Sequence, residues 1–203
     1  MGKLQIYGVT RSRAMRALWL ANELGLDFVQ HELNFAGGDL ETVDYRAINP
    51  NARIPAIDDD GFRLWESMAI NLYLAKKHGG ELAPRDPREE ALALQWSFWV
   101  MAEVEKPTLN VLFNRVLRPE EERDSAVADQ AEQELQRPLA VLNGALEGRD
   151  WLVGDRFTVA DLNVAAVLAW AKMGQLDMAA WPALTAWLDR CLSRPAVAKT
   201  MAG

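Results

Sequence analysis

A small mixed α/β domain followed by an all-helical domain is the fold class that this 203-residue chain predicts, and three observations predict it. Short β-like runs alternate with helical ones up to about residue 80. The stretch Ala83-Pro84-Arg85-Asp86-Pro87 then interrupts the pattern, and everything after it carries apolar residues at helical spacing. The boundaries read as 1–80 for the first domain, 81–87 for a linker and 88–203 for the second domain. At this length, size scaling buries roughly 70% of the unfolded chain's surface, enough for a self-sufficient core.

Leu4-Gln5-Ile6-Tyr7 reads as the first strand, a 3.6-residue period from about Arg13 to Leu24 as a helix closed by Gly25, and Phe28 to Leu33 as a second strand. Strand, helix and strand of these lengths form one βαβ unit with parallel strands. After an irregular segment, Ala56-Ile57 and Phe62 to Trp65 flank Asp58-Asp59-Asp60-Gly61, and Asp-Gly between apolar runs signals a hairpin. A helix from about Ser67 to Lys77 ends at Gly79-Gly80. The order βαβ then ββα makes a four-stranded mixed sheet. Beyond the linker, helices are expected near 88–117, 124–147, 161–173 and 183–193, with Pro195 stopping the last. Six of the eight tryptophans lie in this half.

Composition narrows the function. Half the residues are hydrophobic and 25% charged, as in a globular protein rather than a disordered one. The single cysteine, Cys191, cannot form an internal disulfide. Neither an apolar leader after Met1 nor a run of about 18 apolar residues occurs, so the expected location is cytoplasmic, without a membrane partner. The net charge of −7 divides into 9 Lys/Arg against 10 Asp/Glu before residue 81 and 13 against 19 after it. No basic stripe speaks for nucleic acid. The locally positive spot is Arg11, Arg13 and Arg16, which suits a small anionic ligand. Only His31 and His78 are present, so a three-histidine metal site is excluded and no metal is expected. Cys-x-x-Cys, phosphate-loop, Gly-x-Gly-x-x-Gly and Gly-x-Ser-x-Gly motifs are missing.

Three short segments could carry chemistry. Tyr7 to Arg16 lies where a strand gives way to a helix, the place where open α/β sheets bind ligands, and the helix N-terminus there favours an anion. Ser12 is either an ordinary helix cap or a hydroxyl that donates to a bound thiolate. Asn49 to Ile57 contains Ile54-Pro55 just before a strand. A cis bond there would turn the Ile54 backbone outward toward an extended peptide, while a trans proline would have only a structural role. Leu64 to Ile70 places Glu66 and Ser67 at a helix start, where Ser67 either caps the helix or, with Glu66, binds a ligand carboxylate and ammonium.

Taken together and in this order, the segments resemble the cytosolic glutathione S-transferase family over essentially the whole chain, of the bacterial, Ser-type kind with a phi/theta-like loop. The family's N-terminal thioredoxin-like domain has the βαβ-ββα order, a cis-Pro motif of the form Val/Ile-Pro matched by Ile54-Pro55, and a Glu/Gln-Ser pair matched by Glu66-Ser67. Its C-terminal helical bundle carries a Phe-Thr-x-Ala-Asp marker, matched by Phe157-Thr158-Val159-Ala160-Asp161. That marker has its own physics, since Thr158 and Asp161 stand at N-cap and N3 as a capping-box variant.

The resemblance implies a transferase of detoxification chemistry with glutathione as co-substrate. It would bind glutathione, stabilise its thiolate and add it to a hydrophobic small-molecule electrophile, as a homodimer. It implies Ser12 as the catalytic residue, four residues before Arg16, with Tyr7 as runner-up and Thr10 and Arg13 behind. The glutathione-binding set is Ser12, Arg53, Ile54, Pro55, Glu66 and Ser67. For the electrophile, Trp96, Trp99, Glu103, Asn110 and Phe113 recur at 3-4-7 spacing, interrupted by Pro107. Trp99, Glu103, Asn110 and Phe113 are the pocket candidates, against the alternative that an aromatic ladder is core. The alternatives to a transferase are a non-catalytic interaction module of the same fold and a glutathione-dependent isomerase or peroxidase.

Overall fold

The computed structural model describes residues 3–33 and 37–202. The chain divides into two compact units, residues Met1–Ala83 with Arg194–Gly203 and residues Pro84–Ser193.

In the first unit, β1 (Leu4–Tyr7), α1 (Ala14–Glu23) and β2 (Phe28–His31) are followed by a single turn of helix, α2 (Val43–Arg46). The hairpin β3 (Ala56–Asp59) and β4 (Phe62–Trp65) and the helix α3 (Ser67–His78) come next. The sheet order is β2-β1-β3-β4, with β1 parallel to β2 and antiparallel to β3. Register places Tyr7 beside both His31 and Ala56. Strand alternation sends Leu4 and Ile6 into the core. The hairpin turns on Asp60 and Gly61, both at positive φ (55° and 89°), as a two-residue primed turn requires. β2 is two residues shorter than the apolar run suggests, and β3 two residues longer, because the turn needs only Asp60 and Gly61.

The C-terminal ten residues group with this unit, whereas the sequence pattern assigns them to the helical domain. Pro195 does not merely end a helix. It opens a further one, α9 (Pro195–Ala202), since a first-turn proline lacks only an N–H that would have no carbonyl partner anyway. This helix is fastened to the end of α1: Arg194 donates Nε and Nη2 to the Glu23 carboxylate at 2.7 and 2.9 Å, and Asn22 Nδ2 donates to Thr200 Oγ1 at 2.9 Å. Across the unit, Asp59 accepts from Tyr73 Oη at 2.8 Å and from Lys77 Nζ. Burial pushes the Asp59 carboxyl up, but those donors outweigh it and hold the group below its usual range.

The second unit is helical. Asp86 caps α4 (Pro87–Trp99) by accepting from the Arg88 and Glu89 N–H groups at 2.7 and 2.9 Å. The helical path continues through a π-turn at Val100–Val104, α5 (Glu105–Leu112) and a second π-turn at Phe113–Leu117. Pro107 accounts for the first widening, because it has no N–H for the carbonyl four residues back and its ring crowds that carbonyl. Next come α6 (Ser125–Leu146), α7 (Val159–Met173) and α8 (Pro182–Leu192). Twelve of the fifteen residues of α7 are buried, the signature of a central helix. Asp161 organises its start, accepting from the Thr158 N–H and hydroxyl (both 3.0 Å), the Leu152 N–H (2.8 Å) and Trp187 Nε1 (2.9 Å). The capping box forms as the Thr158-Asp161 spacing predicts. Among the described residues, no helix is long and apolar enough to cross a membrane and no cluster of three or more metal-binding side chains occurs.

Candidate functional site

The site is built on the loop between β1 and α1. Gly8 follows the last residue of β1 at φ 137°, and a Cβ there would lie 2.5 Å from Ala14 Cβ and 3.2 Å from Ile54 Cβ. Real Cβ atoms do not approach as closely as 2.5 Å, so only glycine lets the end of β1 close against Ala14 at the start of α1, and the 3.2 Å to Ile54 is also tight. The Gly8 N–H donates to the His31 carbonyl at 2.9 Å, and Gln30 Nε2 donates to the Gly8 carbonyl at 3.0 Å, which fixes the loop's start to β2.

Ser12 sits in that loop, half-buried. Its hydroxyl donates to the Val9 carbonyl at 2.7 Å and accepts from the Ala14 N–H at 3.1 Å. Ser12 is not the N-cap of α1, which is Arg13; its hydroxyl covers the first N–H of the helix from one residue further out. The Ala14 N–H occupies a lone pair, while the O–H donates to a neutral carbonyl and can redirect that hydrogen bond to a better acceptor. A thiolate is such an acceptor, because hydrogen bonds to ionised partners are roughly twice as strong as neutral ones. Tyr7 is placed differently. Its ring stacks on His31 (centroids 4.6 Å apart, planes 13° apart) and tilts against Tyr45 at 5.9 Å. Burial raises the Tyr7 phenol above its ordinary value. Of the three arginines read as a positive spot, Arg11 and Arg13 are exposed, but Arg16 is fully buried, so it is not part of a surface patch. One helical turn separates it from Ser12, and the inward face of α1 takes it into the core.

The Ile54-Pro55 peptide is cis. The segment before it is held by its neighbours: the Arg53 carbonyl accepts from Tyr45 Oη at 2.7 Å and from Asn49 Nδ2 at 2.6 Å. Asn49 is itself buried, with Oδ1 accepting from the Asn51 N–H at 3.0 Å. Ile54 N–H and C=O, by contrast, have no partner among the described residues. A backbone donor and acceptor left open beside a strand end suit an extended peptide ligand. The Arg53 side chain is exposed and Pro55 buried.

Glu66 and Ser67 form the third wall. Glu66 turns the chain from β4 into α3 at φ 73° and ψ 114°, a conformation costing a non-glycine residue about 1–3 kcal/mol. Its side chain is exposed and has no partner among the described residues. Its carbonyl accepts from the Ile70 N–H at 2.9 Å, so the preceding N–H groups of the first turn are the free ones of a helix start. Ser67 is 3% exposed, and its Oγ accepts from Arg16 Nη1 at 3.2 Å. A half-buried hydroxyl at one helix start, an open peptide edge, and a carboxylate and hydroxyl at another helix start are together complementary to a zwitterionic peptide bearing a thiol.

Sequence reasoning did not reach Gly8, Tyr45, Asn49 or the buried face of Arg16. Two signals were there to read. A glycine directly after a strand marks a close backbone approach, and an arginine at an inward position of an apolar helix demands a polar partner in the core.

In the second unit, Trp99 is half-buried and meets buried Trp96 edge-on at 5.1 Å. Glu103 is exposed, Asn110 is half-buried with its carbonyl accepting from Asn114 Nδ2 at 2.9 Å, and Phe113 is 42% exposed. The π-turns at Val100–Val104 and Phe113–Leu117 each add a residue to a turn, so the side chains beyond them are rotated from the positions that a uniform 3-4-7 spacing gives. Trp96 belongs to the core, as the alternative reading of an aromatic ladder holds.

Comparison with known proteins gives two family matches: "Glutathione S-transferase, N-terminal domain" over residues 2–76 and "Glutathione S-transferase, C-terminal domain" over residues 104–195. The chain is 32% identical to glutathione S-transferase 3 of Zea mays, covering 100% of this chain and 95% of that protein. It is 31% identical to glutathione S-transferase D7 of Drosophila melanogaster over 93% of this chain and 84% of that protein. Among solved structures, the theta class glutathione S-transferase of Xanthomonas axonopodis pv. citri with glutathione bound superposes with a TM-score of 0.90 at 33% identity, covering 100% of this chain and 99% of that one.

Proposed function

The chain belongs to the glutathione S-transferase family, and from that premise we propose that it binds glutathione on its first unit, stabilises the thiolate and adds it to a hydrophobic electrophile. The observation that carries this reading is the Ser12 hydroxyl, whose proton rests on a neutral carbonyl at the mouth of a helix start. A free thiol titrates near pH ~8.5, so only a few per cent is thiolate at neutral pH. A hydroxyl that donates to sulfur favours the charged form and lowers that value. The hydroxyl stays protonated throughout and acts as a donor, so no neighbouring base is needed. The attacking sulfur forms a carbon–sulfur bond at the electrophilic carbon; either the bond to a leaving group breaks and its pair departs with that group, or a double bond opens and its far atom takes the π pair and then a proton from water.

In this reading Glu66 takes the γ-glutamyl ammonium, and Ser67 with the first turn of α3 takes the neighbouring carboxylate. Ile54 pairs with the cysteinyl backbone, Pro55 fixes that turn, and Arg53 lies near the glycyl carboxylate. Trp99, Glu103, Asn110 and Phe113 supply the surface for the electrophile. The enzyme works in the cytoplasm as a detoxifying homodimer. Unburied apolar side chains support the assembly: Phe62 and Trp65 on β4, Leu94 and Phe98 on α4, the last 71% exposed.

Thermal melting tests the reading. A ligand that binds only the native state stabilises it by about 2.7 kcal/mol at a hundredfold excess over its dissociation constant, so millimolar glutathione raises the melting midpoint. An unchanged midpoint favours a non-catalytic interaction module on the same fold.

A further inference from the structure

We infer that Arg16, a residue with no exposed atoms, is a positioning residue for the anionic end of the thiol ligand: it fixes the direction in which the Ser67 hydroxyl donates. The inference rests on the glutathione reading and adds to it a residue that cannot itself touch the ligand.

Donor counting fixes the direction. A guanidinium has five N–H donors and no acceptor, so in the 3.2 Å contact between Arg16 Nη1 and Ser67 Oγ the serine oxygen must accept. The hydroxyl has a single proton, and that proton cannot point back at the arginine. Ser67 is 3% exposed, and its hydroxyl donates to no acceptor among the described residues. Its proton is therefore left for an acceptor at the start of α3, where the free N–H groups of the first turn also converge. A carboxylate satisfies both kinds of donor; an ammonium satisfies neither. Without the arginine the same hydroxyl could turn its lone pair outward and select nothing.

The scaffold holds this geometry from both sides. Asn71, one turn further along α3 and fully buried, donates Nδ2 to the Arg16 carbonyl at 3.3 Å. The main chain of Arg16 is thus tied to α3 at one level and its side chain at the level of Ser67. The guanidinium also adds a full positive charge behind a helix end that already favours anions. α1 begins at the thiol-binding loop and carries Arg16 just inside it, so one rigid helix relates the sulfur subsite to the carboxylate subsite.

The test combines binding with a double-mutant cycle on the full chain. Glutathione titration of the wild type, Arg16→Met, Ser67→Ala and the double variant is compared with titration by a glutathione analogue lacking the γ-glutamyl α-carboxylate. Arg16→Met is expected to weaken glutathione about tenfold or more, the scale of a hydrogen bond to a charged group, but to weaken the analogue little. In the Ser67→Ala background the same change should cost less than about threefold, because the group it acts through is gone. KM for glutathione rises while kcat at saturating glutathione and the midpoint of the pH profile stay in place. Arg16→Gln, which keeps an N–H donor, should recover part of the affinity, and it replaces Arg16→Met in the cycle, against the wild type, if the methionine variant does not fold. Equal losses in both backgrounds, or equal losses for glutathione and the analogue, overturn the inference and leave the glutathione reading standing. No binding of glutathione by the wild type overturns both.

Discussion

Replacing Gly8 by alanine should damage stability and glutathione binding together. A Cβ at this position lands 2.5 Å from Ala14 Cβ and 3.2 Å from Ile54 Cβ, where ordinary contact begins near ~3.5 Å. Neither neighbour can swing away: Ala14 has no rotamer, and Ile54 is fixed next to the Arg53 carbonyl that Tyr45 and Asn49 hold. Overpacking costs about 1–3 kcal/mol and forcing a side chain onto a backbone at φ 137° about 1–3 more, so a loss of about 2–6 kcal/mol is expected. Gly25→Ala is the control. Gly25 also has positive φ, 63°, but a Cβ there meets nothing within 4 Å, so it should cost about 1 kcal/mol. Urea unfolding of the two variants gives the stabilities, and titration with glutathione gives the second reading. Relief of the Gly8 clash must move Ile54 or the Ser12 loop, so the Gly8 variant binds more weakly while the Gly25 variant binds as before. If Gly8→Ala lost no more stability than Gly25→Ala and kept its glutathione affinity, the close approach would not be the contact that assembles the site.

Three further outcomes are expected. Glu66→Ala should weaken glutathione by about 2–5 kcal/mol, the cost of leaving one member of a charge pair alone, as read by titration calorimetry; an unchanged dissociation constant would place the ammonium elsewhere. Glu89→Gln should flatten the acid limb of stability. Hydrogen bonds from Arg156 and then from the Arg85 N–H hold the Glu89 carboxyl at about 2 against an ordinary 4.5. The unfolded chain therefore binds more protons between those values, and the stability that this group contributes is full above pH 4.5 and is lost as pH falls toward 2. Urea unfolding of wild type and variant across that range should show the difference shrinking as pH drops. Sedimentation at micromolar concentration should give a dimer for the wild type and a monomer-shifted distribution for Phe98→Glu; a wild-type monomer contradicts the assembly.

The framework was legible because its signals are local. Asp60-Gly61 has one preferred turn and so fixes the β3–β4 hairpin, Gly25 and Gly79-Gly80 end α1 and α3 at positive φ, and Thr158 with Asp161 opens α7. The cis peptide at Ile54-Pro55 and the helix start at Glu66-Ser67 were placed by motif. The features that escaped depend on long-range partners. Nothing local to Pro195 tells that the next turn is fastened to Glu23 and Asn22, over 170 residues away in sequence. Periodicity assumes a uniform helix, so the spacing of Trp99, Glu103, Asn110 and Phe113 does not reveal the π-turn that accompanies Pro107. The inward turn of Arg16 needed its partner Ser67, 51 residues on.

Thiol activation by Ser12 is the central claim, and the pH dependence of conjugation addresses it directly. Rates with a generic aryl halide are measured across pH ~5.5 to ~9.5, bracketing the free thiol value near ~8.5, for wild type, Ser12→Ala and Tyr7→Phe. The Ser12 hydroxyl can redirect its hydrogen bond from the Val9 carbonyl to the sulfur, whereas the Tyr7 ring is packed against His31 and Tyr45. The expected result is that Ser12→Ala keeps its fold and most of its glutathione affinity while its profile moves to higher pH, and that the Tyr7→Phe profile coincides with wild type. A Tyr7→Phe profile that shifts while Ser12→Ala stays in place would reverse the two roles and contradict the mechanism.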